Sequence, residues 1–442
     1  MIVDLIDTIE ELDRMADDWD EVYATDPHAR YFLSHGFLRQ WLPAFNGHWF
    51  VLAAKPTPRS RYEAFLPLRM RTRALADGHC VSELLMAGNY GADYTGIVAL
   101  PDRARSAMPA LARALKLLHW NQLSFDYVAA DDMRYLKLLN HLSGPDLRIG
   151  TEARVNRRDN VDNLVCPEVP LPDDWDDYLS SLSPNMRQKL RRLLRALDAD
   201  PSLEITLPSA ASIVDDVEAM NRLWVAKWEE RKGAERARRI VATNRQMLLQ
   251  AFVRGDLFMP ILRENGRMVA ALATFVDPIK RAAHFYMTGR DESFAGPSPG
   301  LLLHGYSIRT LIERGVGLYD FMRGDEPYKL LFGTRQKPLQ CIHVATRSGL
   351  NLGDDLEPRA VPTALALATA AHRNGRFRQA AVGYGQVLSQ DPDNIDALYR
   401  YGQLLRQIGQ TADARRLFGR ALALRSRTTE SAGSGQGDQG FN

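Results

Sequence analysis

Residues 286–329 read YMTGRDESFAGPSPGLLLHGYSIRTLIERGVGLYDFMRGDEPYK, and the fold is decided within them. The first residues close a strand, RAAHFYMTG, in which β-branched, aromatic and small side chains leave no helical period. After the loop RDESFAGP, Ser298-Pro299-Gly300 opens a helix, with Ser as N-cap and Pro in the first turn. Leu301, Ile308, Leu311 and Ile312 supply its buried stripe, and Gly315 stops it. Leu318 to Met322 is the next strand. Polar residues then crowd its end, from Arg323 to Lys329, where open α/β sheets place their ligands. The unpaired N–H groups at the helix start are a ready anion site, although a capped helix without a ligand explains the same residues.

The same grammar recurs on both sides of this unit. RMVAALATFVD precedes it as a strand, and the first 165 residues carry strands at Trp49–Lys55, Tyr62–Met70 and Leu84–Met86. A helix over Pro101–His119 then leads into the strand LSFDYVA. "Helix, then LSFDYV" parallels "helix, then LYDFM" and aligns Asp126 with Asp320. A duplicated α/β domain follows, spanning 8–165 and 170–345, with the Pro-rich, acidic stretch CPEVPLPDDWDD (166–177) as connector. Leu5 to Trp19 has helical spacing.

Composition narrows the function. The 442 residues are 45% apolar and 25% charged with net charge +2, which fits about three globular domains. It excludes a fibrous or wholly disordered chain and is too neutral for a dedicated nucleic-acid binder. No run reaches the ~18 apolar residues that span a bilayer, and the N-terminus is acidic where a secretory leader is basic. A cytoplasmic protein without a transmembrane segment is expected. Cys80, Cys166 and Cys341 lie far apart without a CxxC pair, and no HExxH occurs, so no metal is expected.

Near the C-terminus Gly375 and Gly409, Ala380 and Ala414, Tyr384 and Phe418, and Val387 and Ala421 each stand 34 residues apart. This register resembles the tetratricopeptide repeat and predicts two helix pairs over 363–427, an all-α region followed by a flexible tail at 428–442. Two units are fewer than the ~3 that stand alone. Their open face is expected to meet the preceding domain through a linker at 351–362, or a protein partner; recruitment is the preferred reading.

Several residues have chemistry suited to acyl transfer, which needs a base, donors for a developing oxyanion and a proton for the leaving group. Tyr328 suits the proton donor, Asp320 or Glu326 the acceptor, and Lys329 a phosphate or carboxylate. His284 shares a strand face with Tyr286 and is a candidate base. Arg290, Ser298 and Gly300 border the anion site, Arg323 lies beyond the strand end, and Tyr90, Asp93 and Tyr94 occupy a Gly-flanked loop of the first half. Structural alternatives stand beside these: Asp320 as a strand-end cap, Tyr328 as a half-buried aromatic, His284 as a core histidine. The helix SPNMRQKLRRLLRAL buries Leu190, Leu193, Leu194 and Leu197 and turns its basic residues outward, as a solvated face or a polyanion landing surface.

The series SPG, YDF, G and YK resembles the GNAT superfamily. It is closest to the CelD-like acetyltransferases of cellulose and exopolysaccharide biosynthesis, and more distantly similar to the FemAB aminoacyltransferases with their tandem GNAT-like domains. The resemblance spans about residues 10–345 and implies tandem α/β (α+β) GNAT-like domains. It implies acetyl-CoA or another acyl-CoA as donor and an amine or hydroxyl of a sugar, nucleotide-sugar or envelope precursor as acceptor. On that basis Tyr328, Asp320, His284 and Glu326 are the catalytic candidates; Ser298, Gly300, Arg290 and Lys329 would bind the donor; Tyr286, Arg323, Tyr90 and Asp93 would bind the acceptor. The loop Arg290–Gly300 departs from the Q/R-x-x-G-x-G/A spacing that grips coenzyme A. A Fem-like transferase using charged tRNA, the one route by which nucleic acid would enter, and a catalytically silent scaffold are the alternatives.

Overall fold

The alternating strands Arg267–Asp277 and Ala282–Arg290 pair antiparallel, and nearly every side chain of the first is buried. The Pro299–Glu313 helix then returns the chain so that Leu318–Asp320 runs parallel to Ala282–Arg290, with Asp320 opposite His284. The computed structural model describes residues 1–44, 47–88 and 91–433, with side chains through 427.

The first half repeats this unit. Cys80–Met86 leads through the Ala104–Lys116 helix to Gln122–Ala129, again a parallel neighbour. The halves merge into one mixed sheet through Arg335–Thr346. This strand pairs at its start with Val165–Pro170 and along the rest with Gln122–Ala129 of the first half. Mixed α/β domains followed by a helical region describe the chain.

Two elements differ from the sequence reading. Ile2–Ile6 is an edge strand, Ile2 opposite Lys55, and helix begins only after Thr8, whose hydroxyl accepts from the Glu11 N–H at 3.3 Å. The Pro-rich connector enters the sheet, where Val165–Pro170 lies between Arg335–Thr346 and Leu318–Asp320 with Cys166 and Glu168 buried. Its prolines are tolerated because their carbonyls still accept, as Pro167 does from the Phe321 N–H at 2.9 Å.

One apolar cluster lies between the halves, joining Trp19, Phe32 and Phe65 to Met220, Met247 and Phe275. Another joins the first-half sheet to the repeat helices through Ala364, Val387 and Ala397. The repeat forms the helices Val361–Arg373, Phe377–Gln390, Ile395–Gln407 and Thr411–Gly433. The last runs past residue 428, where the tail was expected to begin; residues 434–442 lie outside the described residues. Gln386 takes the Cys80 N–H at 2.6 Å and Gln379 donates to the Ala76 carbonyl at 2.8 Å, so the repeat sits on the first half. The expected linker is packed too, since Asn351, Leu356, Glu357 and Ala360 are all buried.

Candidate functional site

Asp320 ends a buried strand and is itself 0% exposed. A carboxylate there must be paired. Tyr94, reaching across from the first half, donates its hydroxyl to Asp320 Oδ2, and His284 Nδ1 lies 3.5 Å from the same oxygen. Burial alone would raise this carboxyl, but His284, Tyr94 and nearby Arg30 hold it below its ordinary range. Its other oxygen accepts the Met322 N–H at 2.7 Å. Met322 has φ 60° and Gly324 φ 103°, so the chain turns through the left-handed region at a cost of about 1 kcal/mol for the non-glycine residue. Asp320 thus fastens one side of that turn.

Lys329 fastens the other. Its Nζ donates to the carbonyls of Met322, Arg323 and Gly324 at 3.3, 2.9 and 3.0 Å and pairs with Glu326 at 2.9 Å. The donors are spent inside the fold and the residue is buried. Lys329 therefore points at loop carbonyls, not at open space where a phosphate would sit, and Glu326 is committed to it.

The clamped turn presents Arg323. Its Nε donates to Asp93 Oδ1 at 2.6 Å, its backbone N–H to Asp93 Oδ2 at 3.2 Å, and its guanidinium stacks 3.8 Å from the Tyr127 ring centre. Two candidates from opposite halves are thereby brought together. They border a polar cleft of about 550 Å³ that also includes Tyr127, Glu152, Arg154 and Arg236. Arg154 is held by Asp126 at 3.2 Å and Glu152 at 3.0 Å, and Asp159, in the turn between the paired strands Val155–Asn156 and Val161–Asp162, meets Arg231 at 3.4 Å.

His284 does not open onto this cleft. Its ring is fully buried among Tyr31, Phe32 and Tyr94, and a base must reach the proton that it takes. The burying rings come from the other half of the chain. Both His284 and Asp320 are therefore positioned as internal fastenings. Tyr286 is similarly occupied, donating its hydroxyl to Asn244 Oδ1 at 2.8 Å.

The start of the Pro299–Glu313 helix is more open. Ser298 occupies the N-cap position but makes no side-chain cap bond, and a Cβ added at Gly300 would meet nothing within 4 Å. The Gly300 and Leu301 N–H groups have no partner within the helix, as in any first turn, whereas the Leu302 N–H is bonded to the Ser298 carbonyl at 3.0 Å. Arg290, the last residue of the preceding strand, forks onto Glu292 at 2.8 and 3.0 Å, and Glu292 also takes Lys227 at 3.1 Å. Tyr328 is 37% exposed. Partial burial, with Glu326 nearby, holds its phenol above the ordinary range, so it keeps its proton. Tyr90 lies outside the described residues.

Sequence reasoning missed Arg30, Arg154, Arg236 and Asn244, because each acquires its role only when distant segments meet. It also missed His304, buried 3.0 Å from the Tyr319 hydroxyl and held down at about 3 by burial and Lys329. Among the described residues, no group of three or more His, Cys, Asp or Glu is placed to hold a metal, and no helix is long and apolar enough to cross a membrane.

Residues 184–330 match the acetyltransferase (GNAT) domain family, and residues 357–429 match the tetratricopeptide repeat. No curated protein matches. Among solved structures, the chain is similar to FemX (12% identity, 74% of this chain and 95% of that one, TM-score 0.47). It is similar to a conserved protein of unknown function from Bacteroides thetaiotaomicron (14%, 78% and 100%, 0.48). A tandem GNAT protein from the clavulanic acid biosynthesis pathway is also similar (12%, 78% and 98%, 0.44).

Proposed function

We propose that a GNAT-type acyltransferase domain within this chain moves an acyl group from acyl-CoA to an amine or hydroxyl of a sugar, nucleotide-sugar or exopolysaccharide precursor. The observation that carries the reading is the acetyltransferase match over 184–330, the segment that builds the uncapped Pro299–Glu313 helix start. Free N–H groups and the positive end of a helix suit a diphosphate, and the absence of a side chain at Gly300 leaves room for one. Acyl-CoA would supply an activated thioester.

In this reading the first-turn N–H groups and Arg290, once released from Glu292, hold the donor's phosphates. Tyr328, protonated and partly exposed, gives a proton to the leaving thiolate and regains one from solvent, which takes up the proton that the acceptor's amine or hydroxyl loses. The cleft of Asp93, Arg323 and Arg154 orients the acceptor, whose hydroxyls meet both carboxylates and guanidiniums. Asp320, His284 and Lys329 position the turn that carries Arg323. A protein partner would meet the outer groove of the repeat, about 430 Å³, beside Tyr399, Phe418 and Leu422.

The complete burial of His284 and Asp320 favours a second reading, a catalytically silent scaffold. Thermal unfolding with acetyl-CoA, a longer acyl-CoA or charged tRNA separates them, because a ligand at about 100 times its Kd stabilises by about 2.7 kcal/mol. A rise with acyl-CoA supports the enzyme. A rise with charged tRNA alone moves the donor to the Fem type, and no response supports the scaffold.

A further inference from the structure

The acyl-transfer reading leaves the basic helix Pro184–Ala199 unused. Its apolar residues Met186, Leu190, Leu193 and Leu194 are buried, and Leu190 packs against Gly305 of the Pro299–Glu313 helix. Arg187, Arg191 and Arg195 follow at intervals of four, about 6 Å apart along one face. Arg309, from the second helix, joins them around a groove of about 700 Å³, with Trp175 and Asp198 also in its walls.

These guanidiniums are differently committed. Arg187 donates to the Ser180 and Leu182 carbonyls at 3.0 and 3.2 Å and finishes the short preceding helix. Among the described residues, the Arg191 guanidinium has one ion-pair contact, 3.5 Å to exposed Asp176. Arg195 spends its Nε on the Arg191 carbonyl at 3.3 Å, and Arg309 lies 5.9 Å from the Tyr306 ring centre. Arg191, Arg195 and Arg309 therefore keep fork faces for a carboxylate or similar anion.

We propose that this groove binds an anionic glycan, a sugar chain bearing carboxylates, away from the acyl-transfer site. The groove is not uniformly basic, and this decides the ligand class. Asp198 in the wall and Asp176 beside Arg191 repel any polyanion, but a sugar chain carries free hydroxyls that donate hydrogen bonds to them, which a DNA phosphodiester backbone lacks. Trp175 adds an amphipathic face against which a sugar ring can rest. The proposal stands apart from acyl-CoA binding, so either can fail alone.

The test is calorimetric titration of the full chain with hexagalacturonate, maltohexaose and a single-stranded hexanucleotide at two salt concentrations. Hexagalacturonate should bind with an affinity that falls as salt rises, maltohexaose should not bind, and the oligonucleotide should bind more weakly. The triple variant Arg191→Ala/Arg195→Ala/Arg309→Ala should weaken hexagalacturonate at least tenfold while its melting temperature and response to acetyl-CoA stay unchanged. The single variant Arg309→Glu should weaken it in the same direction, which guards against misfolding of the triple variant. No binding of hexagalacturonate, unchanged binding by both variants, or tighter binding of the oligonucleotide overturns the proposal.

Discussion

Tyr328 and Lys329 are neighbours with opposite destinies. Tyr328 is partly open, so Tyr328→Phe should lower acyl transfer at least roughly tenfold with little change in melting temperature. Lys329 joins three carbonyls and Glu326 in a buried place. Lys329→Ala should cost about 3 kcal/mol of stability and lower activity with it, as denaturant unfolding beside an activity assay will show. Equal behaviour of the two variants contradicts the assignment. His304 gives a pH signature. Folded, it stays neutral down to about 3 rather than its ordinary 6.5, so the unfolded chain binds the extra proton between those values. Stability from this group is present above 6.5 and falls on acidification by roughly 1.4 kcal/mol per pH unit. Urea unfolding from pH 7 to 5 should show a steeper loss in the wild type than in His304→Gln.

The turn after Leu318–Asp320 works as a joint between halves. If Arg323 and Asp93 couple as their geometry indicates, a double-mutant cycle of Arg323→Ala and Asp93→Ala should yield an interaction of about 1 to 3 kcal/mol; additive losses would show that the contact is incidental. Elements at this scale were largely legible in sequence. Ser298-Pro299-Gly300, the stripe at Leu301, Ile308 and Leu311 and the stop at Gly315 are local signals, and the helix runs Pro299–Glu313. The Pro-rich connector was not legible as a central strand, because its ladder partners lie 148 to 173 residues away in Leu318–Asp320 and Arg335–Thr346. Nor could His284 be separated from a catalytic histidine while Tyr31, Phe32 and Tyr94, which enclose it, belonged to another part of the chain. Periodicity reports which face is buried, and tertiary contact decides by what.

At the scale of the molecule, three bodies share surfaces. The repeat covers one face of the first half, and its packed linker and the Gln386–Cys80 contact shift the balance from recruitment alone toward support. Deleting residues 363–442 should therefore lower the melting temperature by several degrees and reduce solubility; an unchanged melting curve would show that the contact adds nothing. The exposed Tyr399 (52%) and Leu422 (66%) leave the far end of the repeat free for a partner in the same molecule. The proposed activity rests on acyl-CoA at the uncapped helix start. Gly300→Asp would set a carboxylate there without steric conflict, competing for the same N–H groups. Calorimetric titration of acetyl-CoA into the wild type and this variant is the most direct measurement. Saturable binding by the wild type, weakened at least tenfold in Gly300→Asp at an unchanged melting temperature, is the predicted result; no binding by the wild type, or equal binding by both, contradicts it.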